Sequence, residues 1–226
     1  LFIHIVLASV LIKPEFVHSA TYKLGIYPAP LHYERRLAGH LLKNARIQDG
    51  DIVFLGDSIM EKADISQITS KGHNFGINMD WTGGLANRIP LYRTLDKASL
   101  LVINIGINDL SLRKGETTDC FSHYQKMLDL LPKNIPTVLN SVLPLGKAKD
   151  KSQIDNEKIV HFNQLIKQYA DSRPNYYYLN IASQMKDSNG GLKAEYHLND
   201  YIHLNKRGYA VFIQVINDFL KQNQLV

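Results

Sequence analysis

Ile52-Val53-Phe54-Leu55-Gly56-Asp57-Ser58-Ile59-Met60 runs from a block of apolar β-formers straight into Gly-Asp-Ser and then into helix-compatible sequence. A continuous apolar run of this length reads as a strand buried on both faces, as in parallel sheets covered by helices. Gly56 permits a sharp turn, and Asp57 and Ser58 are good helix caps. The segment therefore hands a hydroxyl to the carboxyl edge of a sheet, where open α/β folds place their sites. Alone, Gly-Asp-Ser is most often an ordinary strand-to-helix turn, so partners elsewhere must decide whether Ser58 does chemistry.

Outward from this segment, strand-like and helix-like stretches alternate. Upstream, a Pro-marked lead-in at 27–30 precedes a helical stretch at 31–45 and the Asp49-Gly50 turn. Downstream, 74–77 reads as a short second strand, and 81–95 as a helix interrupted by Gly83-Gly84 and Pro90. The run at 100–105 is the strongest strand and ends in Gly106-Ile107-Asn108-Asp109. A helix at 118–131, a strand at 137–142, a helix at 154–170 and a strand at 176–181 follow. Asn205 is placed to cap a last helix at 206–222. Five strands alternating with helices predict an α/β fold with a five-stranded parallel sheet and right-handed crossovers. The longest irregular stretches, 144–153 and 183–204, fall at the sheet's carboxyl edge.

Composition removes several function classes. With Cys120 as the single cysteine among 226 residues, no intrachain disulfide and no multi-cysteine metal site can form. The nine histidines are dispersed and no His-Glu-x-x-His occurs, so neither a metal nor another cofactor is expected. The net charge of +5 comes from scattered residues. Its densest cluster, Lys147, Lys149 and Lys151, has Asp150, Asp155 and Glu157 beside it, which argues against a nucleic-acid partner.

Residues 1–12 are almost wholly apolar and lead to the small-residue end Val17-His18-Ser19-Ala20. The run is too short for a membrane span, which takes about twenty residues, and suits the apolar core of a signal peptide. The expectation is a signal peptide at 1–20, a single domain at 21–226, and a periplasmic or secreted protein with no stable membrane span.

Two further motifs stand where later strands end. Asn108 offers a side-chain amide at the same edge as Ser58. In Asp200-Tyr201-Ile202-His203, an Asp three residues before a His can accept from imidazole Nδ1–H and leave Nε2 to take a proton. A serine hydroxyl is inert at neutral pH without such a base. An amide such as that of Asn108 can donate to the negative oxygen that forms when the hydroxyl attacks an acyl carbon. Each motif alone is common, and their order at successive strand ends makes the conjunction informative.

Gly56-Asp57-Ser58, Gly106-Ile107-Asn108-Asp109 and Asp200-Tyr201-Ile202-His203 resemble blocks I, III and V of the GDSL (SGNH) hydrolase family, and the similarity extends from about Arg35 to Phe219. The resemblance implies a flavodoxin-like three-layer α/β/α sandwich and ester hydrolysis through an acyl-enzyme. It gives Ser58 as nucleophile, His203 as base and Asp200 as its orienting acid. It gives the oxyanion donors as the Ser58 N–H, the Asn108 side chain and an N–H from block II. Block II reads Asn74-Phe75-Gly76-Ile77-Asn78-Met79-Asp80, with Met79 where the family has glycine. A Met N–H donates as well as a Gly N–H, but a positive φ there costs about 1 kcal/mol or more. Its thioether would also narrow an acyl pocket.

Met60 excludes the Gly-x-Ser-x-Gly nucleophile elbow. Asn78, Asp80, Trp81, His197 and Asn199 are further candidates for shaping a substrate site, and His197 is a weaker alternative base. The expected function is hydrolysis of short acyl esters, such as acetyl, on a small-molecule or carbohydrate alcohol. The alternatives are lysophospholipase or thioesterase activity, and a non-hydrolytic polysaccharide-binding or acyltransferase role.

Overall fold

The computed structural model describes residues 31–112, 116–146 and 155–226. The signal peptide expected at 1–20 and most of the loop expected at 144–153 lie outside the described residues. The chain divides into two compact units, Leu1–Ala38 and Gly39–Val226. The described part of the first is residues 31–38, the head of helix α1 (Leu31–Asn44), and all that follows concerns the second.

The strands are β1 (Ile52–Gly56), β2 (Gly72–Gly76), β3 (Leu100–Asn104), β4 (Thr137–Asn140) and β5 (Tyr176–Leu179). They form one parallel sheet in the order β2-β1-β3-β4-β5. Every residue of β1, β3 and β4 is buried, which is why these strands are mainly apolar, with Asn104, Thr137 and Asn140 the polar exceptions. The pleat divides them between two cores. On one face, Ile52, Phe54, Leu100, Val102 and Val138 share a cluster with α7 (Ile181–Met185) and α8 (Lys206–Gln222), through Ile181, Met185, Phe212, Ile216 and Leu220. Alternation turns Val53, Leu55, Leu101, Ile103 and Leu139 to the other face. There α3 (Thr82–Arg88), α5 (Thr117–Asp129) and α6 (Asn156–Asp171) pack on one another, with the Tyr124 and Phe162 rings edge to face at 5.6 Å. Helices on both faces of a parallel sheet make the three-layer sandwich.

The strand order reverses at β1, between β2 and β3, so the crevice at their carboxyl ends is the topological switch point. After β1, Asp57 caps the short helix α2 (Ser58–Glu61) by accepting from Ile59 N at 2.9 Å. After β3 comes α4 (Ile107–Leu112). Both deliver polar side chains to that crevice.

Several segments differ from expectation at their ends; the strand expected over 137–142 stops at Asn140, and the one expected over 74–77 spans Gly72–Gly76. The helix expected over 81–95 ends at Arg88 and gives way to short 3-10 turns, while Gly83 and Gly84 lie within α3. They do not interrupt it, because they make room for side chains. A Cβ on Gly83 would meet the Trp81 ring at 2.1 Å, and one on Gly84 the Asp80 carboxylate at 2.0 Å. The strand expected over 176–181 stops at Leu179, where Asn180 accepts from Ser183 N at 3.2 Å and starts α7. A short apolar run is compatible with either period, and the cap decides it.

Candidate active site

Ser58 is the first residue of α2 and is 4% exposed. His203 Nε2 lies 2.9 Å from its Oγ, although 145 residues separate them. On the far side of the ring, His203 Nδ1 lies 2.7 Å from Asp200 Oδ2. The other Asp200 oxygen accepts from Ile202 N at 3.0 Å and His203 N at 2.9 Å. Partial burial pushes the Asp200 carboxyl up, but the bonds from the His203 ring and the two backbone N–H groups outweigh it, leaving its pKa below the ordinary carboxylate value. An ionised Asp200 keeps the proton on Nδ1 and leaves Nε2 as the basic lone pair toward Ser58.

The turn that makes this possible was not legible in the motif. Tyr201 has φ 63°, a left-handed conformation uncommon for a residue with a Cβ. That reversal, two residues before His203, lets both following N–H groups converge on one Asp200 oxygen. Tyr201 is held from both sides: its N–H donates to Leu198 O at 3.0 Å and its carbonyl accepts from Gly146 N at 2.8 Å. His197, the alternative base, is used structurally. Its Nδ1 lies 2.7 Å from Leu198 O, and a Cβ on Gly146 would come within 2.5 Å of its Nε2.

Asn108 stands in the first turn of α4, and its Nδ2 donates to Asp80 O at 2.7 Å. A primary amide has two N–H groups, so one anchors the side chain and one remains for a ligand. Met79, the residue before Asp80, has φ 63°. The glycine-like conformation suspected at this position is therefore adopted by a residue with a Cβ, at a cost of about 1 kcal/mol. Met79→Gly is expected to raise unfolding free energy by about 0.5–1 kcal/mol, the relief of strain being partly offset by the greater freedom of an unfolded glycine. Urea denaturation of both proteins checks this, and a fall in stability would show that Met79's side-chain contacts outweigh its backbone strain.

Beneath the crevice lies a network that the sequence did not signal. Arg88 is 1% exposed and donates through Nε to Asp80 Oδ2 at 2.8 Å, through Nη1 to Phe75 O at 2.8 Å and Tyr92 Oη at 2.7 Å, and through Nη2 to Gly56 O at 3.1 Å. It ties the ends of β1 and β2 to the loop carrying Met79. Asp109 accepts from Thr82 N and from the Thr82 hydroxyl, joining α4 to α3. Asp80, expected as a substrate-shaping residue, is instead 1% exposed and is consumed by this network. Burial pushes its carboxyl up, against the pull of the Arg88 guanidinium. Trp81 covers Gly83 and α3, and Asn78 donates its N–H to Glu61. A buried Arg surrounded by carbonyls leaves no periodic trace, which is why only the folded chain shows it.

Asp57 is 1% exposed. Burial, reinforced by the nearby Asp80 and Asp109 charges and opposed by the bond from Ile59 N, pushes its carboxyl up to about 8. A carboxyl raised in the fold stabilises fully below its unfolded pKa and loses that contribution as pH rises to the folded value. Asp57 therefore contributes a fall in stability between about pH 4 and pH 8. Asp57→Asn is expected to flatten that part of the Tm-against-pH curve, and parallel curves for the two proteins would contradict it.

Among the described residues, no group of three or more His, Cys, Asp or Glu side chains is disposed to hold a metal, and no helix is long and apolar enough to cross a membrane.

The GDSL-like Lipase/Acylhydrolase family model matches residues 54–211. The platelet-activating factor acetylhydrolase IB subunit beta homolog of Drosophila melanogaster is 25% identical over 190 residues, spanning 80% of this chain and 82% of that protein. A GDSL-like lipase from Bacteroides thetaiotaomicron superposes with a TM-score of 0.67 at 22% identity, covering 83% of this chain and 98% of that one. A carbohydrate esterase family 3 structure from Talaromyces cellulolyticus superposes at 0.62 with 15% identity, covering 76% and 97%. At these identities the structural likenesses show a shared fold.

Proposed function

The chain belongs to the GDSL-like Lipase/Acylhydrolase family and is a carboxylic ester hydrolase, and on that premise we propose that it cleaves short acyl esters through an acyl-enzyme on Ser58. The observation that carries the mechanism is the continuous Ser58–His203–Asp200 hydrogen-bond chain at 2.9 and 2.7 Å. Ser58 Oγ attacks the acyl carbon while His203 Nε2 takes its proton. Asp200 holds the ring and offsets the imidazolium charge. The tetrahedral oxyanion is met by the N–H groups of Ser58 and Met79 and by the free N–H of Asn108 Nδ2, donors set before the charge forms. His203 then returns the proton to the departing alcohol. Water, deprotonated by the same nitrogen, attacks the acyl-enzyme, and the carboxylic acid leaves as Ser58 regains its proton. No step requires a cofactor.

A cleft beside Ser58 supports the short-chain part of this reading. Ile59, Ile107 and Ile202, each next to a site residue, line it with Val142 and Leu143. Branched side chains on several sides leave room for few carbons. The name of the Drosophila relative, an acetylhydrolase, points the same way. The alcohol side is open to solvent, with the His203 and Asp200 side chains 25% and 44% exposed, which suits a bulky hydrophilic alcohol such as a carbohydrate. The apolar residues 1–12 followed by Val17-His18-Ser19-Ala20 support export to the periplasm or medium.

Turnover of p-nitrophenyl acetate, butyrate and octanoate tests the proposal. A kcat/KM for acetate at least tenfold above that for octanoate is expected. Octanoate preference would replace the short-acyl reading with a lipid or thioester one, and inactivity on all three would overturn it.

A further inference from the structure

The acyl cleft has a polar floor. Asp57 and Asn104 line it alongside the isoleucines, although they are only 1% and 4% exposed. They are neighbours across the sheet, since Asp57 N donates to Asn104 O at 3.2 Å. Asp57 uses Oδ1 as the α2 cap, and its Oδ2 has no hydrogen-bond partner among the described residues. Neither has Asn104 Oδ1. Such groups are rare in native interiors unless something outside the protein satisfies them.

The environment sets what each can offer. Asp80 and Asp109 crowd Asp57 with negative charge, and burial disfavours its own ionisation, so at neutral pH it is a carboxylic acid with an O–H to donate. Asn104 Oδ1 can only accept. One O–H group serves both, accepting from Asp57 and donating to Asn104, whether water or an acyl group carries it. A methyl in the same place would leave both unsatisfied.

We propose that the cleft is a subsite for short 2-hydroxyacyl groups such as glycolyl or lactyl, with Asp57 and Asn104 as the specificity-determining pair. The assignment rests on the cleft being the acyl side of the esterase proposed above. Ester hydrolysis would proceed as described, with the 2-hydroxyl taking no part in bond making. A site built to pair a hydroxyl discriminates strongly against the analogue lacking it, whereas an apolar pocket gains little from one more methylene.

The test compares p-nitrophenyl glycolate with the propionate, its methyl isostere, on wild type, Asn104→Leu and Asp57→Leu. Each kcat/KM is divided by the ester's hydroxide-catalysed rate, because the 2-hydroxyl activates the ester intrinsically. The ratio within one preparation does not depend on how much protein is folded. Wild type is expected to favour glycolate by about tenfold or more, and each variant is expected to bring the ratio to about one. A wild-type ratio of one or below, with both esters turned over, would overturn the subsite and leave the esterase intact. It would mean that water or the pair itself satisfies the Asp57 acid and the Asn104 carbonyl. A ratio that stays high in both variants would also overturn it. If neither ester is turned over and a fluorophosphonate fails to label Ser58, the esterase reading itself has failed.

Discussion

Replacing Ser58 with alanine is expected to lower kcat on p-nitrophenyl acetate by a factor of about 10⁴–10⁶ while leaving the fold intact. The size follows from the chemistry. Without the hydroxyl there is no acyl-enzyme, and His203 Nε2, now 2.9 Å from an empty position, can at best activate a loosely held water. The oxyanion donors remain, so a residual rate above background should persist. The side chain is small and stands at a helix start, so truncation opens little cavity and Tm should move by no more than a few degrees. Removing Asp200 tests the same chain from its other end. Asp200→Asn is expected to reduce kcat by about 10⁴, because an amide can favour the wrong imidazole tautomer. A Ser58→Ala protein that retains wild-type turnover would remove Ser58 from the mechanism whatever its position.

The largest loss of stability is expected from Arg88→Ala. Arg88 and Asp80 are 1% and 0% exposed at the side chain, and the pair is held at 2.8 Å. Truncation leaves a buried carboxylate with no cation, and it strips hydrogen bonds from the Gly56 and Phe75 carbonyls and the Tyr92 hydroxyl. Breaking one side of a buried pair costs about 3–5 kcal/mol, which corresponds to a fall in Tm on the order of 10 °C for a chain of this size. Arg88→Lys should rescue little, since one ammonium cannot reproduce a guanidinium fork that serves three elements. Activity in the folded fraction should fall as well. Arg88 fixes Asp80, and the Asp80 carbonyl is what anchors the Asn108 amide at 2.7 Å. Calorimetry of the three proteins checks the stability claim. A shift of only a degree or two would mean that Asp80 takes up a proton at little cost and that Arg88 is a spectator.

The strands were readable because buried parallel strands need apolar runs, and 52–55 and 100–103 have them unbroken. The order of Ser58, Asn108 and Asp200–His203 along the chain was equally plain, with Ser58 and Asn108 each just after a strand and Asp200–His203 just before the last helix. Register put Met79 at the family's glycine position and raised the question of a positive φ, which φ 63° answers. Other features had no local signature. The strand at 176–181 and the helix at 81–95 were misjudged at their ends, where short apolar runs fit either period.

Sequence by itself determined the periodicity, the β-α alternation and the candidates for the reacting groups, because these depend on residues close together in the chain. Tertiary structure alone decided which groups are buried and what they face. It placed His203 against Ser58 across 145 residues and put Tyr201 in a left-handed turn that aims Asp200. It buried Arg88 among carbonyls, and it crowded Asp57 until its proton is held to about 8. The physical reason is the same in each case: desolvation and charge proximity are properties of a position in space, and the chain acquires them only on folding.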